Sequence, residues 1–336
     1  MSLNEHDLHQ ILARFAGKRL AVVGDIMIDR YYWGHVNRIS PEAPVPVVEV
    51  DAEQVRFGGA ANVANNIRYL GGTPLLIGLI GDDYAGKSFA EMLRDHGMDA
   101  AGLVVDAGRP TTIKTRVIAG GQHVVRVDNE SKAECPEHLQ QQIVDAVKYR
   151  IQQIDAILIE DYNKGVLTKG VIDELLAVAQ KYDKIVTVDP KFNHFLDFRG
   201  VTLFKPNRRE AEEVLGGRLK TDSEVVVAGK KLLELLGAKS VLLTRGEQGM
   251  SLCESSGEVT HIHTVADNVQ DVSGAGDTVI STLTLALASG VDVRMASRLA
   301  NCAAGVVVAQ VGIVPVSPEQ LVHAALQCAE KETAGN

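Results

Sequence analysis

The stretch RLAVVGDIMID, residues 19–29, is a near-continuous apolar run that closes on polar residues. Such a run reads as a strand buried on both faces, the pattern of a parallel sheet covered by helices rather than of a half-exposed antiparallel one. The pattern recurs at PLLIGLIG (74–81), DAILIE (155–160), KIVTVDP (184–190), VTLFKP (201–206) and SVLLTRG (240–246). Between these runs, helical patterning predicts helices over 60–71, 84–97, 136–152, 168–181, 208–215 and 223–236, and three more at about 275–290, 292–310 and 317–329. The class is therefore α/β: a doubly wound, mainly parallel sheet with helices on both faces.

Two regions break the alternation. Residues 34–50, GHVNRISPEAPVPVVEV, hold three prolines among β-branched residues and cannot be helix. Residues 103–128 hold the strand-like pieces PTTIKTRVI and HVVRVD, joined by the turn signal AGGQ. A doubly wound core has no need of either, so both are read as insertions forming a small β lid at one edge. With no Ser/Pro-rich linker and no internal repeat, residues 1–336 read as a single domain carrying that lid.

Composition narrows the function classes. Lys and Arg number 34 against 43 Asp and Glu, a formal charge of −9. An acidic chain without a basic run is not patterned for nucleic acid. An anionic substrate would need positive charge concentrated locally. No apolar run reaches the roughly 18–20 residues that span a bilayer, and the opening MSLNEHDLHQILARF reads as an amphipathic helix without a signal core. Cys135, Cys253, Cys302 and Cys328 lack C-x-x-C spacing and fit reduced thiols in a cytoplasmic protein.

One motif misleads. GDDYAGKS, residues 81–88, fits the phosphate-loop pattern G-x-x-x-x-G-K-[ST] letter for letter. A phosphate loop wraps its anion in successive backbone amides and needs small residues to do so. Here Asp83 and Tyr84 occupy the bend, and the carboxylates at 82 and 83 would repel phosphate. The motif reads as a decoy.

A better anion site lies in DVSGAGDTVISTLTLAL, residues 271–287. Gly274, Ala275 and Gly276 bring amides together at a helix N-terminus, where the dipole favours an anion. Asp277, in the first turn, is placed to take a proton from a hydroxyl beside a bound phosphoryl group; an ordinary helix cap fits the same letters. In KPNRREAEEVLG (205–216), Asn207 and Glu210 share a helical face and suit a magnesium ion held through water. A capping box fits them equally well. LTRGEQGM (243–250), with Thr244, Gly246 and Gly249, offers a strand-to-turn edge for an adenine or ribose, though taken alone it reads as a plain turn. At the other end, Asp25 and Asp29 are expected at the carboxyl end of the first strand, where open α/β sheets bind ligands. Asn62, in FGGAANVANNIRYLGG (57–72), opens a helix and suits a polyol.

Taken in order, G-x-x-x-x-D, G-G-A-A-N, G-L-I-G-D-D-x-x-G, K-P-N-x-x-E and D-V-S-G-A-G-D-T resemble the ribokinase/PfkB family of sugar kinases over roughly residues 20–315. The resemblance implies that Asp277 is the catalytic base and that Gly274, Ala275 and Gly276 form the anion hole. It implies ATP as co-substrate, Asn207 and Glu210 near Mg²⁺ and the nucleotide phosphates, and Asp29, Asn62 and Gly59 at the sugar. It further implies a monovalent cation near Asp271 and a homodimer formed through the lid.

RISPEAPVPVVEV, TTIKTRVIAGGQHVVRVD, EDYNKGVLT and DVSGAGDTVI look more narrowly like the kinase module of the bacterial ADP-heptose pathway. Such modules phosphorylate D-glycero-D-manno-heptose 7-phosphate at its 1-position, towards lipopolysaccharide core heptose. A nucleotidyltransferase domain often follows; none is expected before CAEKETAGN closes this chain, so that activity would come from a separate protein or a longer chain. A phosphorylated substrate answers the charge question. Lys114, Arg116, Arg126, Lys164 and Lys191 supply a candidate phosphate clamp, against the reading that they are solvated positions. Asp161 and Asp189 fit structural strand ends. Another sugar or nucleoside kinase, a non-catalytic sugar-binding regulator and a P-loop NTPase are the alternatives.

Overall fold

A computed structural model describes residues 4–264 and 268–334. The run at 19–29 forms two strands, not one. β1 (Arg19–Gly24) is buried along all but its first residue, while β2 (Ile26–Ile39) begins buried and ends in solvent. The strand ends at Asp25, whose amide still donates to the Glu160 carbonyl while its carboxylate accepts amides from the loop that follows Glu160. Apolar residues on both sides of the break hide it in the sequence.

β2 pairs with β3 (Pro46–Gly59), and both belong to the lid. Pro46 opens β3, where a missing amide is tolerated. β4 (Thr73–Gly81) returns to the main sheet beside β1, and β5 (Leu103–Asp106) extends it as a parallel edge strand. β6 (Ile113–Ala119) and β7 (Gln122–Asn129) complete the lid, ordered β3-β2-β6-β7. Its strands thus run over 26–59 and 113–129 rather than 34–50 and 103–128. Leu103–Asp106 joins the large sheet because Val104 and Asp106 point into it and are buried.

The remaining strands are β8 (Ala156–Glu160), β9 (Ile185–Asp189), β10 (Leu203–Phe204), β11 (Ser240–Thr244), β12 (Met250–Glu254) and β13 (Val259–Ile262). The nine-stranded sheet is ordered β13-β12-β11-β10-β9-β8-β1-β4-β5. It is parallel from β11 to β5, with β12 and β13 added antiparallel. Helices cover both faces: α1 (Glu5–Ala13), α2 (Ala60–Tyr69), α3 (Tyr84–Asp95), α4 (Glu137–Arg150), α5 (Lys169–Lys181), α6 (Arg208–Leu215), α7 (Asp222–Leu236), α8 (Ala275–Ala288), α9 (Val293–Val308) and α10 (Pro318–Ala334). Along β1 the alternation of a strand divides the core. Leu20 and Val22 pack with α2, α8 and α9, whereas Ala21 and Val23 pack with α4, α5 and α7. The core thereby fixes β1, β8 and β9 with their carboxyl ends at one edge. α8 starts at that edge.

Candidate active site

Three carboxyl groups meet there. Glu160 and Asp189 end β8 and β9 directly opposite each other in register. Asp277 reaches them from the first turn of α8, and oxygens of all three lie within 4.8 Å of one another. Gly274 caps α8 in the left-handed region, with φ 78°, a conformation that a side chain resists. No side chain caps α8 among the described residues. The Ala275 amide donates to the Val272 carbonyl at 3.3 Å, so of the three residues expected to form an anion hole this one already has a partner.

Asp277 is 5% exposed. Its Oδ2 accepts from Asn62 Nδ2 at 2.7 Å and its Oδ1 from the Tyr162 hydroxyl at 2.9 Å. Burial pushes its pKa up to about 6; Asp189 adds to the rise, and the Asn62 and Tyr162 hydrogen bonds oppose it. The carboxyl is thus poised as a base near neutral pH. Lysines balance the cluster. Lys205 Nζ lies 2.7 Å from Asp189 Oδ2, and Lys191 Nζ lies 3.6 Å from Asp189 Oδ1 and 2.8 Å from Glu210 Oε1. Burial alone would raise Asp189, yet the two ammonium groups hold it below the usual carboxylate range. Glu160 has no such partner: both its oxygens are buried without a hydrogen bond, and burial, with the charges of Asp189 and Asp277, drives its pKa well above the usual carboxylate range.

The nucleotide set assembles in part. Asn207 caps α6 and bridges Thr244 at the end of β11. The capping box forms: Asn207 Oδ1 accepts the Glu210 amide at 3.0 Å and Glu210 Oε2 accepts the Asn207 amide at 2.8 Å. Gly246 is exposed in the turn before β12. Gly249 is buried in that turn, and its carbonyl accepts the Arg245 amide at 2.8 Å.

The substrate set divides. Asp29 is not at the end of β1; it lies four residues beyond Asp25, inside β2, because the chain has already entered the lid. There it pairs with Arg116 across the β2–β6 ladder. Gly59 caps α2, three residues before the buried Asn62. Lys114 is half-buried, and burial together with the nearby charge of Lys164 depresses its pKa. Lys164 Nζ binds Glu130 at 2.6 Å. Arg126 is exposed and pairs with its own neighbour Asp128 at 3.0 Å. Lys191 stands apart from these, on the Asp189–Glu210 side. Five basic residues therefore do not form one clamp: Lys114, Arg116 and Lys164 sit towards the lid, Lys191 towards the α6 cap, and Arg126 in solvent. Tyr162, Glu160 and Lys205 were not singled out by sequence. Their signal was available, since E-D-Y-N-K and K-P-N both follow strands at the edge where α/β sheets place ligands.

A doubly wound sheet whose strand ends surround a buried aspartate, with a four-stranded β lid beside it, is the arrangement of a sugar kinase. Residues 18–320 match the pfkB family of carbohydrate kinases, and the chain belongs to that family. Among curated relatives, the bifunctional protein HldE of Geobacter sulfurreducens is 42% identical over 320 residues, covering 95% of this chain and 65% of its own length. That of Desulfatibacillum aliphaticivorans is 44% identical over 307 residues, covering 91% and 63%. The chain thus spans just under two thirds of these relatives. Phosphofructokinase-2 from Escherichia coli in complex with potassium superposes with a TM-score of 0.77 at 20% identity, covering 93% of this chain and 99% of that one. Ribokinase of Arabidopsis thaliana with ribose and ATP gives 0.72 at 20%, covering 92% and 99%. Likeness at that identity establishes the fold. No helix among the described residues is long and apolar enough to cross a membrane.

Proposed function

We propose that the chain transfers the terminal phosphoryl group of ATP to the 1-hydroxyl of D-glycero-D-manno-heptose 7-phosphate. The observation that carries the reaction type is Asp277: a buried carboxyl, shifted to about 6, at a glycine-capped helix N-terminus. It accepts the hydroxyl proton as the acceptor oxygen attacks phosphorus, and the Gly276 amide with the α8 dipole receives the developing charge. Asn62 would bond the sugar beside the base, and Asp29 would accept from a sugar hydroxyl while paired with Arg116. Lys114 and Lys164 supply positive charge on the lid side for the phosphate that the acceptor already carries. Relatedness to the two HldE proteins supports the heptose assignment over other sugars and nucleosides.

ATP would lie along Asn207, Thr244 and Gly246. A magnesium ion, which neutralises phosphate charge when bound, fits Asn207 and Glu210 only through water. Both Glu210 oxygens already serve, one on the Asn207 amide and one on Lys191. A monovalent cation beside Asp271 belongs to the same reading. Asp271 accepts the Ser273 and Gly312 amides, each at 2.9 Å, so a cation there would act on the turn that leads to Gly274. Dimerisation through the lid is supported by β7, an edge strand exposed at every residue, because an open edge invites pairing; sedimentation as a monomer would refute it. A cytoplasmic setting accords with an ATP-dependent reaction.

The deciding assay measures ADP release with the heptose 7-phosphate beside ribose, fructose 6-phosphate and adenosine. Turnover with the heptose phosphate alone supports the assignment. Preference for another acceptor retains the kinase and overturns the substrate.

A further inference from the structure

The loop after β8 is pinned far more firmly than a connection requires. Asp25, 1% exposed, accepts the Tyr162 amide at 2.7 Å and the Lys164 amide at 3.1 Å. Asp161 accepts the Asn163 amide at 2.8 Å and the Lys191 amide at 3.3 Å. Asn163 itself turns the loop at φ 54°, in the left-handed region that asparagine enters more readily than other side-chain-bearing residues. The product of all this anchoring is the placement of one side chain. Tyr162 holds its hydroxyl against Asp277 Oδ1, and its ring lies 5.2 Å from the ammonium of Lys191, which in turn binds Glu210 of the α6 capping box.

We propose that Tyr162 is a positioning residue for the phosphoryl transfer, fixing the carboxylate plane of Asp277 from the side opposite Asn62. The inference rests on the kinase reading above. A carboxylate can rotate about its bond to Cβ, and a base whose lone pairs swing away from the acceptor hydroxyl loses the alignment that makes it effective. One donor on each oxygen removes that freedom, and each oxygen retains a second lone pair for the incoming proton. Tyr162 neither gains nor loses a proton. The acceptor O–H bond breaks, the Asp277 O–H bond forms, the acceptor oxygen bonds to phosphorus and the nucleoside diphosphate leaves. Burial, then the charges of Asp277, Glu160 and Asp189, raise the phenol well above its ordinary pKa, so it stays a donor.

The groups facing Asp277 are Glu160 from β8, Asp189 from β9, Lys205 after β10, and Tyr162 itself. Of these, Tyr162→Phe changes only the phenol and keeps the ring beneath Lys191. In the full chain, turnover is expected to fall about tenfold with the KM for ATP unchanged. The acid limb of kcat/KM is expected to rise by about one pH unit, because a hydrogen bond to the charged form is lost. 3-Fluorotyrosine at 162, a stronger donor of nearly the same shape, should move the limb the other way. The Asp277 carboxyl is also followed without substrate by ¹³C NMR, its resonance identified by loss in Asp277→Asn. Its midpoint should lie near 6 in the wild type and higher in Tyr162→Phe. An unchanged midpoint overturns the proposal whatever the acceptor proves to be. So does wild-type turnover in Tyr162→Phe. A wild type inert towards every acceptor overturns the kinase reading instead, while the titration still tests the Tyr162 contact.

Discussion

The glycine-containing turns at Gly81–Ser88 and Gly274–Asp277 both lead into helices, and they differ in what occupies the helix N-terminus. At Gly81–Ser88 the helix N-terminus is already filled by its own side chain. Asp83 caps α3, with Oδ1 accepting the Gly86 amide at 2.7 Å and the Thr111 hydroxyl at 2.7 Å, and Oδ2 accepting the Thr111 amide at 2.8 Å. Lys87, which a phosphate loop would aim at the anion, instead pairs in solvent with Asp82 at 3.2 Å. Gly81 is required by close approach, since a Cβ there would lie 2.5 Å from the Arg109 carbonyl. At Gly274–Asp277 the arrangement is inverted. No side chain caps the helix among the described residues, and the nearby carboxylate is turned away into Asn62 and Tyr162. A helix N-terminus binds an external anion only where the protein has not already supplied one.

That contrast makes predictions of decreasing size. Asp277→Asn should lower turnover by about 10²–10⁴ while calorimetry still detects nucleotide binding; near-normal turnover would remove Asp277 from the reaction. In the wild type, kcat/KM should decline about tenfold per pH unit below the Asp277 pKa of about 6. The sign follows from the role: the base must be ionised, and a raised pKa means that protonation begins to silence it at higher pH than for an ordinary aspartate. A pH profile flat down to 4 would exclude this. Asp83→Ala should reverse the pattern, reducing stability by about 1–3 kcal/mol through the lost cap and the stranded Thr111 donors, with turnover of the folded fraction preserved. Denaturant melts and kinetics on the same samples separate the two effects. Smallest of all, Lys87→Ala should leave stability within about 0.5 kcal/mol and turnover unchanged. A collapse in nucleotide affinity would revive the phosphate loop.

A related contrast separates β8 from β2. DAILIE was legible as a buried strand because nothing but apolar residues fits between two layers of helix, and its bounds agree with Ala156–Glu160. RLAVVGDIMID obeys the same rule on either side of Asp25, so composition gave no warning that the chain changes sheets there. The decision belongs to Asp25, whose partners Tyr162 and Lys164 lie more than 130 residues away. β12 and β13 escaped for a similar reason. They are short, half-polar strands whose pairing depends on the edge that β11 presents.

The sequence by itself determined the layered α/β class, most helix bounds and the Gly-rich turn that opens α8 with Asp277 in its first turn. These depend on local patterning and on motifs contiguous in the chain. It also named Asn207 with Glu210 and left magnesium and capping open; the structure forms the cap without removing the first. Only the tertiary structure decided which side chains share a site. It brought Asn62 and Tyr162 onto Asp277, placed Lys191 with Asp189 and Glu210 rather than with Lys114, and left Arg126 in solvent. The physical reason is range. A helix or a buried strand is selected by neighbours a few residues apart, whereas a hydrogen bond from Asn62 to Asp277 joins residues that come within reach only once α2 and α8 have packed on the same face of the sheet.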